Sequence, residues 1–392
     1  MTASTASLSR SRRSIGTVFA VNGLLVGAWA PRIPTVAADL GLRPGSLGLA
    51  LLGVAVGNLL AARLAGAACH RYGSDRVARA ASYGYGVAAV LPGLATNLVT
   101  LFLTLAVWGL AMGGQDVAMN AQGVELEVAY GRRIFAGLHA LWSVATFVGA
   151  FAGGIGAALD LPVPVQQALL AAAVLGAFSV VRTGLLPDRP AAPEVAVDAA
   201  GPRRRVFDLR LALLGTAAVS SLLAEGVAID WSAIYLRTHL DASGIWTASA
   251  YAAFCAGMTG GRLVGDRVMD RVGVTRSLAV ATVLGGGGLA AGFASGVLVG
   301  AVIGFGLAGL GLSIMTPLFF GSAPAPPGPA GRQIAVVTGM GYAGMLLGPS
   351  LIGLVAQGTS VAAALWLVPP FIVLAGTLGR AGVHRGGRAP SP

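Results

Sequence analysis

Apolar residues run along the chain in stretches of about 20, each closed by a short polar loop. At 1.5 Å per residue such a stretch crosses the ~30 Å hydrocarbon core of a bilayer as one α-helix. Twelve runs fit this length: 14–33, 47–68, 77–95, 98–122, 134–158, 165–186, 209–236, 247–266, 277–295, 297–320, 333–356 and 359–379. The pattern predicts an all-α membrane protein of twelve transmembrane helices. Only the short turn Ala294-Ser295-Gly296 divides the ninth and tenth runs. Near the start, Arg12-Arg13, an apolar stretch and Ala28-Trp29-Ala30 imitate a cleavable leader. Pro31 follows directly and suits a cleavage point poorly, and eleven more runs come after it, so the first helix is expected to be retained.

Composition sharpens this picture. Of 392 residues, 55% are hydrophobic and 10% charged, against about a quarter charged in soluble domains. That balance rules out a disordered chain, a collagen, a disulfide-rich secreted module and an ordinary cytosolic enzyme. Cys69 and Cys255 are far apart and form neither a zinc spacing nor a disulfide framework. Glycine is abundant, at 59 residues inside apolar runs, as suits helices packed closely in lipid. The net charge is +11 and every basic residue is Arg. The arginines punctuate the loops instead of forming one patch, so a nucleic-acid partner is not expected and a lipid bilayer is. With the N-terminus inside, 21 arginines fall on the cytoplasmic side and 3 on the other, a strong positive-inside bias. Both termini are therefore expected in the cytoplasm, with the chain in the cytoplasmic (inner) membrane.

The longest polar segment, 188–208, is rich in Pro, Ala and both charge signs and reads as a cytoplasmic linker. It separates an N-terminal six-helix bundle, 1–187, from a C-terminal one, 209–392. The halves repeat. Arg71, Gly73 and Arg76 recur as Arg271, Gly273 and Arg276, an offset of 200. Arg133, Gly149 and Gly154 recur as Arg332, Gly348 and Gly353, an offset of 199. Parallel repeats in a polytopic chain predict two pseudo-symmetric bundles that rock about a central site.

The loop GAACHRYGSDR and its second-half copy GRLVGDRVMDRVG resemble the GxxxDRxGRR signature of the major facilitator superfamily. The first copy departs from it, with His70 where the signature has Asp and Ser74 where it has a basic residue. The strings DVAMNAQ (116–122), GLHALWS (137–143), EGVAIDWSAIYL (225–236) and GYAGMLLGPSLIG (341–353) look like the fucose-permease-like branch, in particular the YbjJ-type inner-membrane proteins. The resemblance implies the major facilitator fold. It also implies gate contacts at Arg71, Asp75, Asp266, Arg267 and Arg271, with Asp75 substituting in the altered first loop.

Ionised side chains at mid-bilayer cost about 2.5–3.5 kcal/mol on insertion scales. Asp116, Glu225 and Asp230 are the carboxylates that fall inside spans. Asp116, Asn120 and Gly123 share one helical stripe; Gln115, Met119 and Gln122 share the next. With a hairpin turn near residue 128, Asp116 and His139 reach the same depth. An Asp116–His139 contact, direct or through water, is expected there, either as a proton relay or as a static clasp between helices. Glu225, deeper than Asp230, is the second proton-coupling candidate; Asp230 is an outer-gate residue or a partner of Arg32 or Arg237. Asn22, Gln115, Asn120, Trp142 and Tyr342 are candidate solute-binding residues, since rings beside amides can stack on a sugar-like ligand. The alternative for the tryptophans is anchoring at the interface. Glu125, Glu127, Arg132 and Arg133 form either an inner-gate network or a solvated loop.

These features predict a secondary transporter acting on a small solute, sugar-like in the first reading, driven by protons. A proton-driven multidrug efflux pump is the alternative. No cofactor or metal is expected, since the four histidines are scattered and nucleotide motifs are missing from the sequence. An enzyme is not expected, and the chain is expected to work as a monomer.

Overall fold

The computed structural model describes residues 5–131, 134–187, 209–322 and 331–386, all of whose regular structure is helical. The expected linker, Arg132, Arg133 and the prolines between 324 and 329 lie outside the described residues. The chain divides into two compact units, Met1–Val197 and Asp198–Pro392. The first contains α1 (Thr5–Trp29), α2 (Pro44–Tyr72), α3 (Ser74–Ala88), α4 (Leu98–Tyr130), α5 (Phe135–Ala158) and α6 (Val163–Val181). The second contains α7 (Leu209–His239), α8 (Ser249–Val272), α9 (Val274–Ala294), α10 (Leu298–Gly321), α11 (Gly331–Gly358) and α12 (Val368–Gly386). Among the described residues ten helices are long and apolar enough to cross a membrane. The other two expected spans are α3, which is only 15 residues long before a 3₁₀ turn at Leu91–Leu94, and α8, which carries Arg262.

Local sequence sets the helix ends. Asn97 opens α4 with a capping box: its Oδ1 accepts from the Thr100 amide at 3.0 Å, and Thr100 Oγ1 accepts from the Asn97 amide at 3.0 Å. Gly73 ends α2 at φ +91° and Gly273 ends α8 at φ +87°, each donating its N–H to a carbonyl four residues back at 2.9 Å. A side chain is disfavoured at such a φ. The Arg-x-Gly repeat thus has one backbone conformation in both halves. The Gly285–Gly288 run lies in α9 at a π-helical turn, Val283–Gly287.

The same pairing recurs in the two units. In the first, α1 packs on α5 and α2 on α4; in the second, α7 packs on α11 and α8 on α10. Glycines bring the backbones together. A Cβ on Gly57 would lie 2.1 Å from the Ala106 carbonyl oxygen, and one on Gly109 would lie 2.2 Å from that of Val54. Two hundred residues on, a Cβ on Gly257 would lie 2.1 Å from the Gly306 oxygen, and one on Gly309 would lie 2.2 Å from that of Phe254. Close backbone approach of this kind drives helix association in lipid, where burial of apolar surface offers no gain.

Candidate functional site

A hydrogen-bonded chain of side chains crosses the first unit. Trp142 Nε1 of α5 donates to Asn22 Oδ1 of α1 at 2.8 Å. Asn22 Nδ2 donates to Gln115 Oε1 of α4 at 3.1 Å, and Gln115 Nε2 donates to Ser82 Oγ of α3 at 3.0 Å. Ser82 completes the chain by donating to the Ala78 carbonyl at 2.7 Å. Tyr85 donates its hydroxyl to the Asn22 carbonyl at 3.4 Å and stacks near Trp108. Asn22 and Gln115 are buried, at 3% and 0% exposure. Their positions in the sequence predict that both face a solute. In the structure their amides are spent on other side chains, so in this conformation they clasp four helices together. Trp142 is half-buried, with its indole N–H held in the same clasp.

One turn further along α4 lies a second group. Asn120 Nδ2 donates to Asp116 Oδ1 at 3.2 Å, and His139 Nε2 meets Asn120 Oδ1 at 3.1 Å. With the amide in this orientation, His139 Nε2 must be the donor. Asn120 therefore stands between the carboxylate and the imidazole that the sequence places in direct or water-mediated contact. α4 ends at Gly131, φ +62°, and α5 begins at Phe135, both later than a turn at 128 implies. His139 meets Asn120, one turn along α4 from Asp116. Asp116, Asn120 and His139 are only partly buried. Phe19 and Phe135 pack edge-on against the imidazole, with ring centres 5.2 and 4.8 Å away.

Further side-chain contacts lie at the end of this unit near the α4–α5 hairpin. Gln122 Nε2 donates to Ser74 Oγ at 2.7 Å and to the Leu186 carbonyl at 2.8 Å, while its Oε1 accepts from the Leu186 amide at 2.8 Å. Glu127 Oε2 accepts the backbone N–H groups of Ile134 and Phe135, both at 2.8 Å. Gln122 was legible only as a polar member of a helical stripe, and Glu127 as part of a charge cluster read as an inner-gate network or a solvated loop. Asp75 pairs with Arg79 at 3.2 Å across one turn of α3, and the exposed Arg71 lies over the ring of Tyr72 at 5.2 Å. Arg32 is buried and donates Nη2 to the Leu161 carbonyl.

In the second unit Glu225 and Asp230 are both partly buried on α7. Arg262 of α8 acts electrostatically on Glu225. Trp231 is fully buried, and its Nε1 donates to the Pro349 carbonyl of α11 at 3.1 Å. Its spacing left interface anchoring open; the structure makes it an interhelical tie. Gly226 lies beside the Met345 carbonyl, four residues before Pro349, the one whose helical donor a proline cannot supply. Tyr342 is 54% exposed. Arg267 donates to the Leu263 carbonyl at 3.2 Å, Arg271 lies in the last turn of α8, and Asp266 lies one turn before Asp270 on the same helix. Among the described residues no group of three His, Cys, Asp or Glu could hold a metal ion.

Comparison with known proteins agrees with this architecture. An uncharacterized MFS-type transporter of Yersinia pestis is 34% identical over 365 residues, 93% of each chain. An uncharacterized transporter of Sinorhizobium fredii, y4wD, is 32% identical, covering 93% of this chain and 96% of its own. The membrane protein MosC of Rhizobium meliloti is 29% identical, over 89% and 84% of the two chains. In structure the chain is similar to a bacterial homolog of the human lysosomal transporter Spinster, inward-facing and occupied, with a TM-score of 0.75, 12% identity and coverage of 99% and 100%. It is also similar to the nucleoside transporter NupG, with a TM-score of 0.70, 14% identity and coverage of 94% and 98%. At such identities these likenesses concern the fold: twelve helices in two six-helix units. The description of the Major Facilitator Superfamily matches residues 15–349, and with relatives above 30% identity over nearly the whole length, this multi-pass membrane chain belongs to that superfamily.

Proposed function

We propose that the protein is a proton-coupled secondary transporter that moves a small polar solute across the cytoplasmic membrane by alternating access. The observation that supports it best is the line Asp116–Asn120–His139. A carboxylate and an imidazole are joined through one amide, partly buried, inside a membrane helix pair. Charge on either end is felt at the other. Protonating Asp116 weakens the bond from Asn120 Nδ2, and that amide no longer presents Oδ1 to His139 with the same polarity. Glu225, with Arg262 opposite, is the corresponding acid of the second unit. Asn120, Trp142 and Tyr342 are the solute-facing groups in this reading; Asn22 and Gln115 reach a solute only when their clasp opens. Asp75, Arg71, Asp230, Asp266, Arg267 and Arg271 are assigned to gating. One charge crossing 100 mV is worth about 2.3 kcal/mol, enough for roughly fiftyfold accumulation.

Asp116→Asn and Glu225→Gln are expected to abolish gradient-driven uptake in proteoliposomes while solute counterflow persists. Full gradient-driven transport in both variants overturns the assignment. A second reading, proton-driven efflux of amphipathic drugs, draws on the aromatic walls that Phe19 and Phe135 raise beside His139. A thermal-shift panel of sugars and amphipathic cations at two pH values separates the two.

A further inference from the structure

We infer that Glu127 is a positioning residue: through the start of α5 it fixes the packing of Phe135 and the register that puts His139 opposite Asn120. The inference rests on the reading of His139 as part of the proton site. The first N–H groups of a helix have no intrahelical acceptors, and a negative charge there is stabilised by the helix dipole. The residue at the α5 N-cap, Ile134, has no side chain that caps. The carboxylate comes instead from the preceding helix, with both amides at 2.8 Å from one Glu127 oxygen.

Glu127 and Asn120 are seven residues apart on α4 and so share one stripe, about 10 Å apart along the axis. One holds the first turn of α5 and the other holds His139, one turn further along it. Gly123 lies between them on that stripe. A Cβ on Gly123 would lie 2.9 Å from the Phe135 ring, so the glycine makes the seat for that ring. Phe135 in turn packs against His139 and Phe19, with ring centres 4.8 and 6.4 Å away. Asn120, Gly123 and Glu127 thus form a three-point register lock between α4 and α5. Without the Glu127 acceptor, two charge-assisted bonds are lost at the only end of α5 that adjoins the hairpin.

The test uses the full-length protein in micelles with ¹⁵N-histidine and with His70, His239 and His384 replaced, so that His139 alone reports. Glu127→Leu is expected to shift and broaden the imidazole resonances and to slow gradient-driven uptake roughly tenfold. Glu127→Gln keeps a carbonyl acceptor and restores most of both. Unchanged His139 resonances in a Glu127→Leu protein that elutes as folded overturn the inference. If that variant does not fold, Gly123→Ala, which crowds Phe135 without touching the carboxylate, is expected to shift the same resonances, and no shift there also overturns it. If the resonances move in Glu127→Leu while His139→Gln retains full proton-driven transport, the register lock stands and the proton role of His139 falls.

Discussion

Replacing Asn22 by leucine isolates the energetics of the clasp in the first unit. The change keeps the side-chain volume similar but deletes the acceptor of the 2.8 Å bond from Trp142 and the donor of the 3.1 Å bond to Gln115. Interhelical hydrogen bonds inside membranes are worth about 0.6 kcal/mol on average and about 1.7 at most. Two of them, with the Trp142 donor and the Gln115 acceptor left behind in buried surroundings, put the loss at about 1–3 kcal/mol. At about 2–4 °C per kcal/mol for a unit of this size, Tm falls by about 2–12 °C. Thermal unfolding in detergent measures it. A cycle with Trp142→Phe, which removes the other end of the same bond, gives the coupling directly. The double variant is expected to lose about 0.6 kcal/mol less than the sum of the singles. Strict additivity, or an unchanged Tm in Asn22→Leu accompanied by lost solute binding, refutes the clasp and returns Asn22 to the solute.

Two further predictions test the packing. Gly57→Ala sets a methyl 2.1 Å from the Ala106 oxygen and must separate α2 from α4, at a cost of about 1–3 kcal/mol; Gly66→Ala on the same helix meets nothing within 4 Å and is expected to be neutral. Equal melting temperatures for the two refute the close-crossing argument. Trp231→Phe removes the 3.1 Å bond to Pro349 and is expected to cost about 1 kcal/mol, whereas Trp246→Phe, at a side chain 59% exposed, is expected to leave stability unchanged in the same assay.

Much of the scaffold was readable in the sequence because it depends on composition averaged over 20 residues and on backbone constraints. The apolar runs mark the spans, and the Gly73 and Gly273 repeat survives as two helix ends of the same φ. The site was less readable because it depends on single-residue register. One turn of α4 separates Asn120, which meets His139, from Asp116, which does not. Periodicity gives the face a residue occupies but not which neighbour its amide selects. Gln115 lies on a stripe of α4 with Met119 and Gln122 as expected, yet it and Asn22 select each other. The Glu127 cap was hidden because its carboxylate belongs to the preceding helix, whereas the usual cap signal is sought immediately before the first turn. The eighth helix was legible as a run even though Arg262 lowers its average hydropathy, and its glycines make the same crossing as those of α2.

The π-helical turn of α9 implies that this helix carries a spare residue. One extra position without added rise turns everything beyond Gly287 by about 100° relative to the segment before Val283. Losing one residue elsewhere in a membrane helix scrambles which side faces lipid. Within Gly285–Gly288 the same loss would unwind the bulge into ordinary α-helix, so the phase defect could be absorbed where it arises instead of running on through the rest of the span.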